Sequence, residues 1–192
     1  MFNILFALLF YIIGTIPSAY LCGRLFGRVD IREIGSGNVG AMNAFKNIGY
    51  LPGILSLLLD IAKGALAVYL AMRFGTFIFL PLLASFLVIL GHNYNVFLGF
   101  RGGKGIGSLI GVLLVLSPAA FSYQLIIIVA FALLLKDSNT AAGLGIVFLP
   151  AILGILEGHW AFILAGTGIA ILMILKHLPD FRAYQAGKRK LL

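Results

Sequence analysis

The stretch that decides the fold runs from Phe77 to Leu116 and reads FIFLPLLASFLVILGHNYNVFLGFRGGKGIGSLIGVLLVL. Two apolar runs, Phe77–Gly91 and Ile106–Leu116, flank a polar segment with two cations and three glycines in Arg101–Gly105. Such glycines let the backbone turn its N–H groups inward while the cations supply positive charge, which is how proteins cradle phosphate. The stretch therefore predicts membrane helices joined by an anion-binding loop at the bilayer surface.

The composition of the whole chain is that of a membrane protein. Of 192 residues, 61% are hydrophobic and only 10% are charged, and the mean hydropathy of +1.10 excludes an ordinary soluble domain. Apolar runs occupy most of the chain, so we expect one all-α integral membrane domain over residues 1–192. Residues 1–21 lack a basic start and a small-residue cleavage site, which predicts a retained helix and not a signal peptide.

Seven apolar segments predict a bundle of about seven transmembrane helices. They are Phe2–Leu21, Leu51–Met72, Phe77–Gly91, Ile106–Leu116, Ala119–Leu135, Ala141–Leu156 and Trp160–Leu175. Several are shorter than the ~20 residues of a perpendicular span, so we expect local thinning or helices that begin inside a polar pocket. The fourth and fifth segments form either one helix kinked at Pro118 or a helical hairpin.

The distribution of Lys and Arg favours the hairpin and predicts the orientation. With seven spans, twelve of the 14 basic residues lie in junctions on one side of the membrane. Arg73 lies on the other side, and Lys63 lies within the second segment. Under the positive-inside rule those junctions are cytoplasmic, with the N-terminus outside and the C-terminus in the cytoplasm. A single helix over residues 106–135 would divide the cations between both sides.

A second polar cluster lies in the first of these junctions and reads GSGNVGAMN over Gly35–Asn43. Its glycines free the backbone, while Ser36, Asn38 and Asn43 supply neutral donors and acceptors. Taken alone, the cluster is equally typical of a helix cap with a flexible loop. Because it shares a membrane face with Arg101–Gly105, we expect two anion-binding loops that suit a reaction between two phosphorylated partners.

Three other polar features have simpler interpretations. The junction Lys136–Thr140 is typical of a helix-capping turn. His177 ends the last segment, where an imidazole either meets an aqueous pocket or anchors the helix end. Asp60 and Lys63 lie at positions i and i+3 of the second segment and predict a structural ion pair, since no further carboxylates continue a proton path.

The two glycine-rich clusters resemble signature blocks of a known family. GSGNxGAxN over Gly35–Asn43 and GHxxxxFxxFRGGKG over Gly91–Gly105 are similar to the first two blocks of the bacterial acyl-phosphate:glycerol-3-phosphate acyltransferases, the PlsY type. The tail over Lys176–Gly187 resembles their third block. The resemblance extends over nearly the full chain and includes the segment Leu59–Gly64.

The resemblance implies transfer of a fatty acyl group from acyl phosphate to the sn-1 hydroxyl of glycerol 3-phosphate. The products would be 1-acyl-glycerol 3-phosphate (lysophosphatidic acid) and inorganic phosphate, in phospholipid biosynthesis. It also implies a multi-pass protein of the bacterial cytoplasmic (inner) membrane with its active site facing the cytoplasm. No cofactor, metal or nucleic acid is implied, membrane lipids are the surroundings, and a monomer is compatible with the pattern.

The family's functional residues are carried over by motif. The implied catalytic residues are Ser36, Lys104 and His177. The implied substrate- or phosphate-binding residues are Gly35, Gly37, Asn38, Asn43, Lys46, His92, Arg101, Gly102, Gly103, Gly105 and Asp180. The second block would hold the phosphate of glycerol 3-phosphate, and the first would position the donor. His177 would orient the acceptor or take its hydroxyl proton, and a phosphate oxygen of the donor is the other candidate base.

The chain departs from the usual family pattern at six positions. The family usually has Thr, Arg, Pro, Lys, Asn and Glu where this chain has, in order, Met42, Lys46, Asn95, Arg101, Asp180 and Arg189. Positive charge is retained at positions 46 and 101, so we expect anion binding to be retained.

Two other classes of membrane protein stay open. A small transporter or channel for phosphorylated anions would expose its site to both sides in turn, whereas the polar loops cluster on one side. A phosphatidyl-transferring enzyme would need clustered metal-binding carboxylates. Near the motifs on the cytoplasmic face the chain offers only Asp30, Glu33 and Asp180, which do not form such a cluster in the sequence.

Overall fold

The computed structural model describes residues 2–75 and 77–187, with side chains from residue 5 onward. Every regular element in these ranges is a helix, and they contain no strand. The α-helices are α1 Phe2–Gly14, α2 Ser18–Cys22, α3 Ala41–Asn47, α4 Tyr50–Phe74, α5 Leu80–Asn93, α6 Ile106–Leu116, α7 Pro118–Leu135, α8 Ser138–Gly145, α9 Leu149–Glu157 and α10 Trp160–Gln185. The predicted tail cations Lys188, Arg189 and Lys190 lie outside the described residues.

All seven predicted apolar segments are helical, which confirms the all-α membrane class. Five segments of the described chain are long and apolar enough to cross a membrane: Tyr50–Phe74, Leu80–Leu98, Pro118–Leu135, Ser138–Glu157 and Trp160–Gln185. A sixth forms if the bent pair Leu5–Gly14 and Ser18–Gly27 counts as one span. Helix α6 has 11 residues, a rise of about 16 Å, roughly half the hydrocarbon thickness. The orientation of the termini stays a prediction.

The first predicted segment is not one continuous helix. Helix α1 ends at Gly14 and α2 begins at Ser18, with a bend of 40° between the two pieces. Pro17 lacks an N–H group and restricts the backbone of Ile16, so the helical ladder cannot pass this point. The break leaves backbone carbonyls inside an apolar segment, where side chains from other helices bind them.

The fourth and fifth segments are separate helices and not one helix kinked at Pro118, and the hairpin stays a prediction. Helix α6 ends at Leu116, Ser117 is extended with φ −158° and ψ 87°, and α7 begins at Pro118. The Ser117 hydroxyl accepts a hydrogen bond from the Ala120 N–H at 3.4 Å and caps α7.

The helices cluster into two compact units, Met1–Val115 and Leu116–Leu192. In the first unit, glycines bring helix backbones into contact. A Cβ at Gly14 of α1 would overlap the carbonyl of Val88 in α5, and one at Gly64 of α4 would overlap the carbonyl of Ser108 in α6. In the second unit, Gly143 of α8 makes room for side chains of α10, because a Cβ there would overlap the ring of Phe181. A single domain over the whole chain stays a prediction.

Candidate active site

The first signature loop, Gly35–Asn43, is organised by the side chain of Asn43. This side chain is buried, and its Oδ1 accepts hydrogen bonds from the Ser36 N–H at 3.1 Å and from Asn47 Nδ2 at 2.9 Å. Its Nδ2 donates at 3.0 to 3.1 Å to the backbone carbonyls of Ile31, Ile34 and Asn38. The amide group of Asn43 is therefore engaged in shaping the loop.

Two glycines of this loop have backbone conformations that other residues rarely adopt. Gly35 has φ +56° and Gly37 has φ +69°, both in the left-handed region that glycine enters at no steric cost. The turn they form exposes Ser36, whose Oγ accepts a hydrogen bond from the Asn38 N–H at 3.4 Å. The serine hydroxyl is thus held at the surface of a rigid turn. Lys46 is also exposed, in the last turn of α3.

The second signature block contains a buried asparagine, Asn95, that binds a backbone carbonyl at the break in the first span. Asn95 Nδ2 donates to the Thr15 carbonyl at 2.6 Å, and its Oδ1 accepts the Phe97 N–H at 3.0 Å. The backbone then passes through the left-handed region at Gly99 and Phe100, both with φ +62°. This path leaves Arg101 exposed at the start of the glycine-rich loop.

The glycine-rich loop lies directly against His92. A Cβ at Gly102 would overlap the His92 carbonyl oxygen, and one at Gly103 would overlap the imidazole Nε2. The Gly103 N–H donates to the same carbonyl at 3.1 Å. Only glycine fits at these two positions, and Lys104, which follows them, is half-buried.

The two signature loops meet in the first unit. A Cβ at Gly103 would lie 2.7 Å from the carbonyl oxygen of Val39, a residue of the first loop. A small cavity lies at this point, and its lining includes Val39, Gly102 and Gly103. The structure therefore brings together the predicted residues Gly35 to Asn43 and His92 to Gly105.

A buried charged cluster lines the same cavity. Asp60 Oδ1 lies 2.7 Å from Lys63 Nζ, which confirms the predicted ion pair, and 3.5 Å from His92 Nδ1. The same oxygen accepts a hydrogen bond from Ser18 Oγ at 2.8 Å. Lys63 Nζ also donates to the Ile16 carbonyl at 2.8 Å, at the break in the first span. No sequence pattern indicated Ser18 or the Ile16 contact, because both depend on how α2 and the residues before it pack against α4.

A second set of charges lies just before the first loop. Asp30 is buried and accepts hydrogen bonds from the Arg32 guanidinium at 2.6 and 2.9 Å. These bonds lower the pKa of Asp30 from its ordinary value of 3.8 to about 2. The guanidinium carbons of Arg24 and Arg32 lie 5.3 and 5.4 Å from the centroid of the Tyr20 ring. The carboxylate of Asp30 is thus bound by arginine side chains.

The remaining predicted site residues, His177 and Asp180, lie in the second unit. Both are buried on α10. His177 Nδ1 donates to the Met173 carbonyl at 2.8 Å, one helical turn earlier. Since a carbonyl can only accept, Nδ1 carries a proton, and in the neutral ring Nε2 is the acceptor nitrogen. The predicted capping turn at Lys136–Thr140 is confirmed, because Asp137 Oδ1 accepts the Thr140 N–H at 2.7 Å.

Within the described ranges, no three His, Cys, Asp or Glu side chains form a group that could hold a metal ion. The two signature loops themselves offer hydrogen-bond donors and cations, which are suited to orienting and polarising anionic substrates.

Comparison with known proteins extends over nearly the whole chain. A family model described as glycerol-3-phosphate acyltransferase matches residues 4–187. The glycerol-3-phosphate acyltransferase of Listeria monocytogenes serovar 1/2a is 34% identical over 187 residues, covering 96% of this chain and 94% of that protein. Crystal structures of PlsY (YgiH), an integral membrane glycerol 3-phosphate acyltransferase, match 100% of this chain and 96% of theirs. The glycerol 3-phosphate form has a TM-score of 0.90 at 26% identity, and the lysophosphatidic acid form 0.88 at 24%.

Proposed function

This chain belongs to the glycerol-3-phosphate acyltransferase family, and we propose that it transfers a fatty acyl group from acyl phosphate to the sn-1 hydroxyl of glycerol 3-phosphate. The products are 1-acyl-glycerol 3-phosphate and inorganic phosphate. The related PlsY was solved in forms that correspond to the acceptor and to the product of this reaction.

The observation that carries this proposal is the meeting of two different loops in the first unit. One exposes a serine hydroxyl, that of Ser36, on a rigid glycine turn. The other presents two cations, Arg101 and Lys104, on either side of two positions at which only glycine fits. A reaction between two phosphorylated substrates needs two such loops, one for each phosphate.

An acyl phosphate is already activated, so the protein has to orient the reactants and stabilise charge. The acceptor oxygen attacks the acyl carbonyl carbon and forms the ester bond. The bond from that carbon to the phosphate oxygen breaks, and phosphate leaves with the electron pair. In our proposal the hydroxyl proton passes to the leaving phosphate, because the oxygens of this phosphate are bases and are released next to the attacking hydroxyl.

We assign the roles of the loop residues from the charges and the hydrogen-bond donors that they carry. We assign the phosphate of glycerol 3-phosphate to Arg101–Gly105, with Lys104 as the principal cation. We assign the donor to the first loop, where Ser36 and Asn38 offer hydrogen-bond donors to its phosphate or carbonyl. Asn43 holds that loop in shape through its hydrogen bonds.

The third signature block supplies His177 and Asp180 in this proposal. The hydrogen bond from Nδ1 to the Met173 carbonyl fixes the orientation of the imidazole ring on α10. A fixed ring is suited to orienting a polar substrate, and we assign His177 that role toward glycerol 3-phosphate. Asp180 stays a predicted binding residue.

We also propose that both loops of the first unit face the cytoplasm of a bacterial cytoplasmic membrane. Support comes from the bias of Lys and Arg toward the junctions on one side. Acyl phosphate, with its long chain, would be supplied from the membrane, and glycerol 3-phosphate from the aqueous side.

A donor assay tests the proposed function directly. Purified protein is given acyl phosphate, acyl-CoA or acyl carrier protein as the donor, with glycerol 3-phosphate as the acceptor, and the products are identified by mass spectrometry. We expect 1-acyl-glycerol 3-phosphate only with acyl phosphate. Product from acyl-CoA but not from acyl phosphate would overturn the proposed donor. Uptake of glycerol 3-phosphate into proteoliposomes without acyl transfer would instead support a transporter.

A further inference from the structure

The buried cluster of Ser18, Asp60, Lys63 and His92 connects the membrane interior to the glycine-rich loop. None of these side chains is more than 6% exposed, so they do not form an accessible surface for a substrate. Each has a partner within the first unit, and Asp60 Oδ1 is the common contact of the other three. The cluster is thus organised around one carboxylate.

The imidazole of His92 links this carboxylate to the loop. Its Nδ1 edge faces Asp60 Oδ1 at 3.5 Å, whereas its Nε2 edge faces Gly103 so closely that a Cβ there would overlap it. The backbone of His92 holds the loop as well, because its carbonyl accepts the Gly103 N–H at 3.1 Å. Any rotation of the ring would therefore move the loop or collide with it.

A purely stabilising role accounts poorly for this arrangement. Burying two charges costs desolvation free energy, and their attraction roughly returns this amount, so such a pair adds little net stability. A buried pair does fix the orientation of its side chains, because the hydrogen bonds that compensate for the lost hydration hold it in one geometry. Lys63 illustrates this, since its ammonium group binds both Asp60 and the Ile16 carbonyl.

We propose that Asp60 acts through His92 as a positioning residue for the phosphate-binding loop. The carboxylate fixes the imidazole, the imidazole supports Gly103, and Gly103 sets the path of the backbone that carries Arg101 and Lys104. Neither Asp60 nor His92 touches the reacting atoms in this proposal. It rests on the proposed function in one respect, namely that this loop holds the phosphate of glycerol 3-phosphate.

The test compares His92→Leu, Asp60→Asn and the double variant in the full-length protein. We expect each single variant to raise the KM for glycerol 3-phosphate about tenfold, because a loop displaced by a fraction of an ångström binds its anion less well. The KM for acyl phosphate should stay near that of the wild type. Ser85→Ala is the matched control, because Ser85 is buried in the same helix as His92 but donates to the Pro81 carbonyl of its own helix.

The double variant decides whether Asp60 acts through His92. In the His92→Leu background, Asp60→Asn should change the KM by less than about twofold, because residues that act through one another are not additive. Independent, multiplying effects would overturn the proposal. If Asp60→Asn fails to fold because Lys63 is left without its counter-ion, Ser18→Ala removes one hydrogen bond from the same carboxylate and should shift the KM in the same direction by a smaller factor.

Hydrogen–deuterium exchange provides a readout that needs no turnover. The peptide over residues 99–105 contains the Gly103 N–H, which the His92 carbonyl binds, and it should exchange faster in His92→Leu and Asp60→Asn than in Ser85→Ala. Unchanged exchange in folded variants, or an unchanged KM, would overturn the positioning role. If the wild type does not use acyl phosphate, the proposed function fails, and the exchange rates still decide whether the cluster holds the loop.

Discussion

Asn95 Nδ2 donates a hydrogen bond of 2.6 Å to the carbonyl of Thr15, which lies 80 positions earlier in the chain. The carbonyl is available because the helix of the first span is interrupted just before Pro17. The bond therefore ties the second signature block to a break in another membrane segment. It occurs at a position where the family pattern usually has proline, a residue that cannot make it.

Asn95→Ala should destabilise the protein by about 1–3 kcal/mol, because a buried carbonyl loses its donor. Asn95→Pro should cost less than Asn95→Ala. The backbone at residue 95 already has φ −72°, which a proline ring adopts without strain and which it also restricts in the unfolded chain. Thermal unfolding of both variants in one detergent measures the difference. An Asn95→Ala variant as stable as the wild type would show that the bond contributes nothing.

Much of this arrangement follows from the sequence, and the remainder depends on packing. Local patterns predicted the helix segments, the Asp60–Lys63 pair and the glycine loops. Spacing along a helix and the backbone freedom of glycine both depend on residues that are close in the sequence. The direction of the His92 ring is not local. It is set by Asp60 on another helix and by Gly103 on a following loop, so the motif alone could not predict it, and substrate binding by His92 stays a prediction.

Lys104→Ala should lower kcat/KM by on the order of 10²-fold or more, since it removes a cation that is proposed to pair with a phosphate. The matched control is Arg73→Ala, which removes an exposed cation in the last turn of α4, away from both loops. Steady-state kinetics with both substrates varied measure the effect. Near-normal kinetics in a folded Lys104→Ala variant would show that this lysine does not bind a substrate phosphate.

Ser36→Ala should lower kcat by about 10²–10³-fold if the hydroxyl stabilises charge in the transition state. Its stability should change little, because Ser36 is exposed and its hydroxyl accepts a hydrogen bond from the Asn38 N–H at a long 3.4 Å. Ser122→Ala, at an exposed serine that donates to its own helix at the Pro118 carbonyl, is the control. A normal kcat combined with a lower melting temperature would instead assign Ser36 to capping the turn.

The contact between Asp30 and Arg32 should make stability depend on pH only under acidic conditions. The pKa of Asp30 is lowered from 3.8 to about 2, so its contribution is complete above 3.8 and is lost as the pH falls through 2. The melting temperature of the wild type should therefore exceed that of Asp30→Asn at neutral pH, and the difference should disappear at the acidic end. Glu33→Gln removes an exposed neighbouring carboxylate and is the control. A difference that persists unchanged below pH 2 would contradict the assignment.

Substitutions of His177 separate an orienting role from that of a general base. An asparagine amide can take the place of Nδ1 and keep the hydrogen bond to the Met173 carbonyl, which the histidine makes at 2.8 Å. Glutamine can instead reach toward the position of Nε2. If His177 orients glycerol 3-phosphate, both variants should retain much of kcat and mainly raise the KM for that substrate, by roughly tenfold.

The orienting role is the one that we favour, because the phosphate of the donor can itself take the hydroxyl proton. A general base would behave differently: His177→Gln would lose kcat even at saturating glycerol 3-phosphate, and the acidic limb of the wild-type pH–rate profile would report an imidazole pKa. Kinetics at saturating acceptor, together with a melting curve to establish that the variant is folded, measure which of the two holds. Loss of kcat in a folded His177→Gln protein would show that the imidazole, and not the phosphate of the donor, takes the hydroxyl proton.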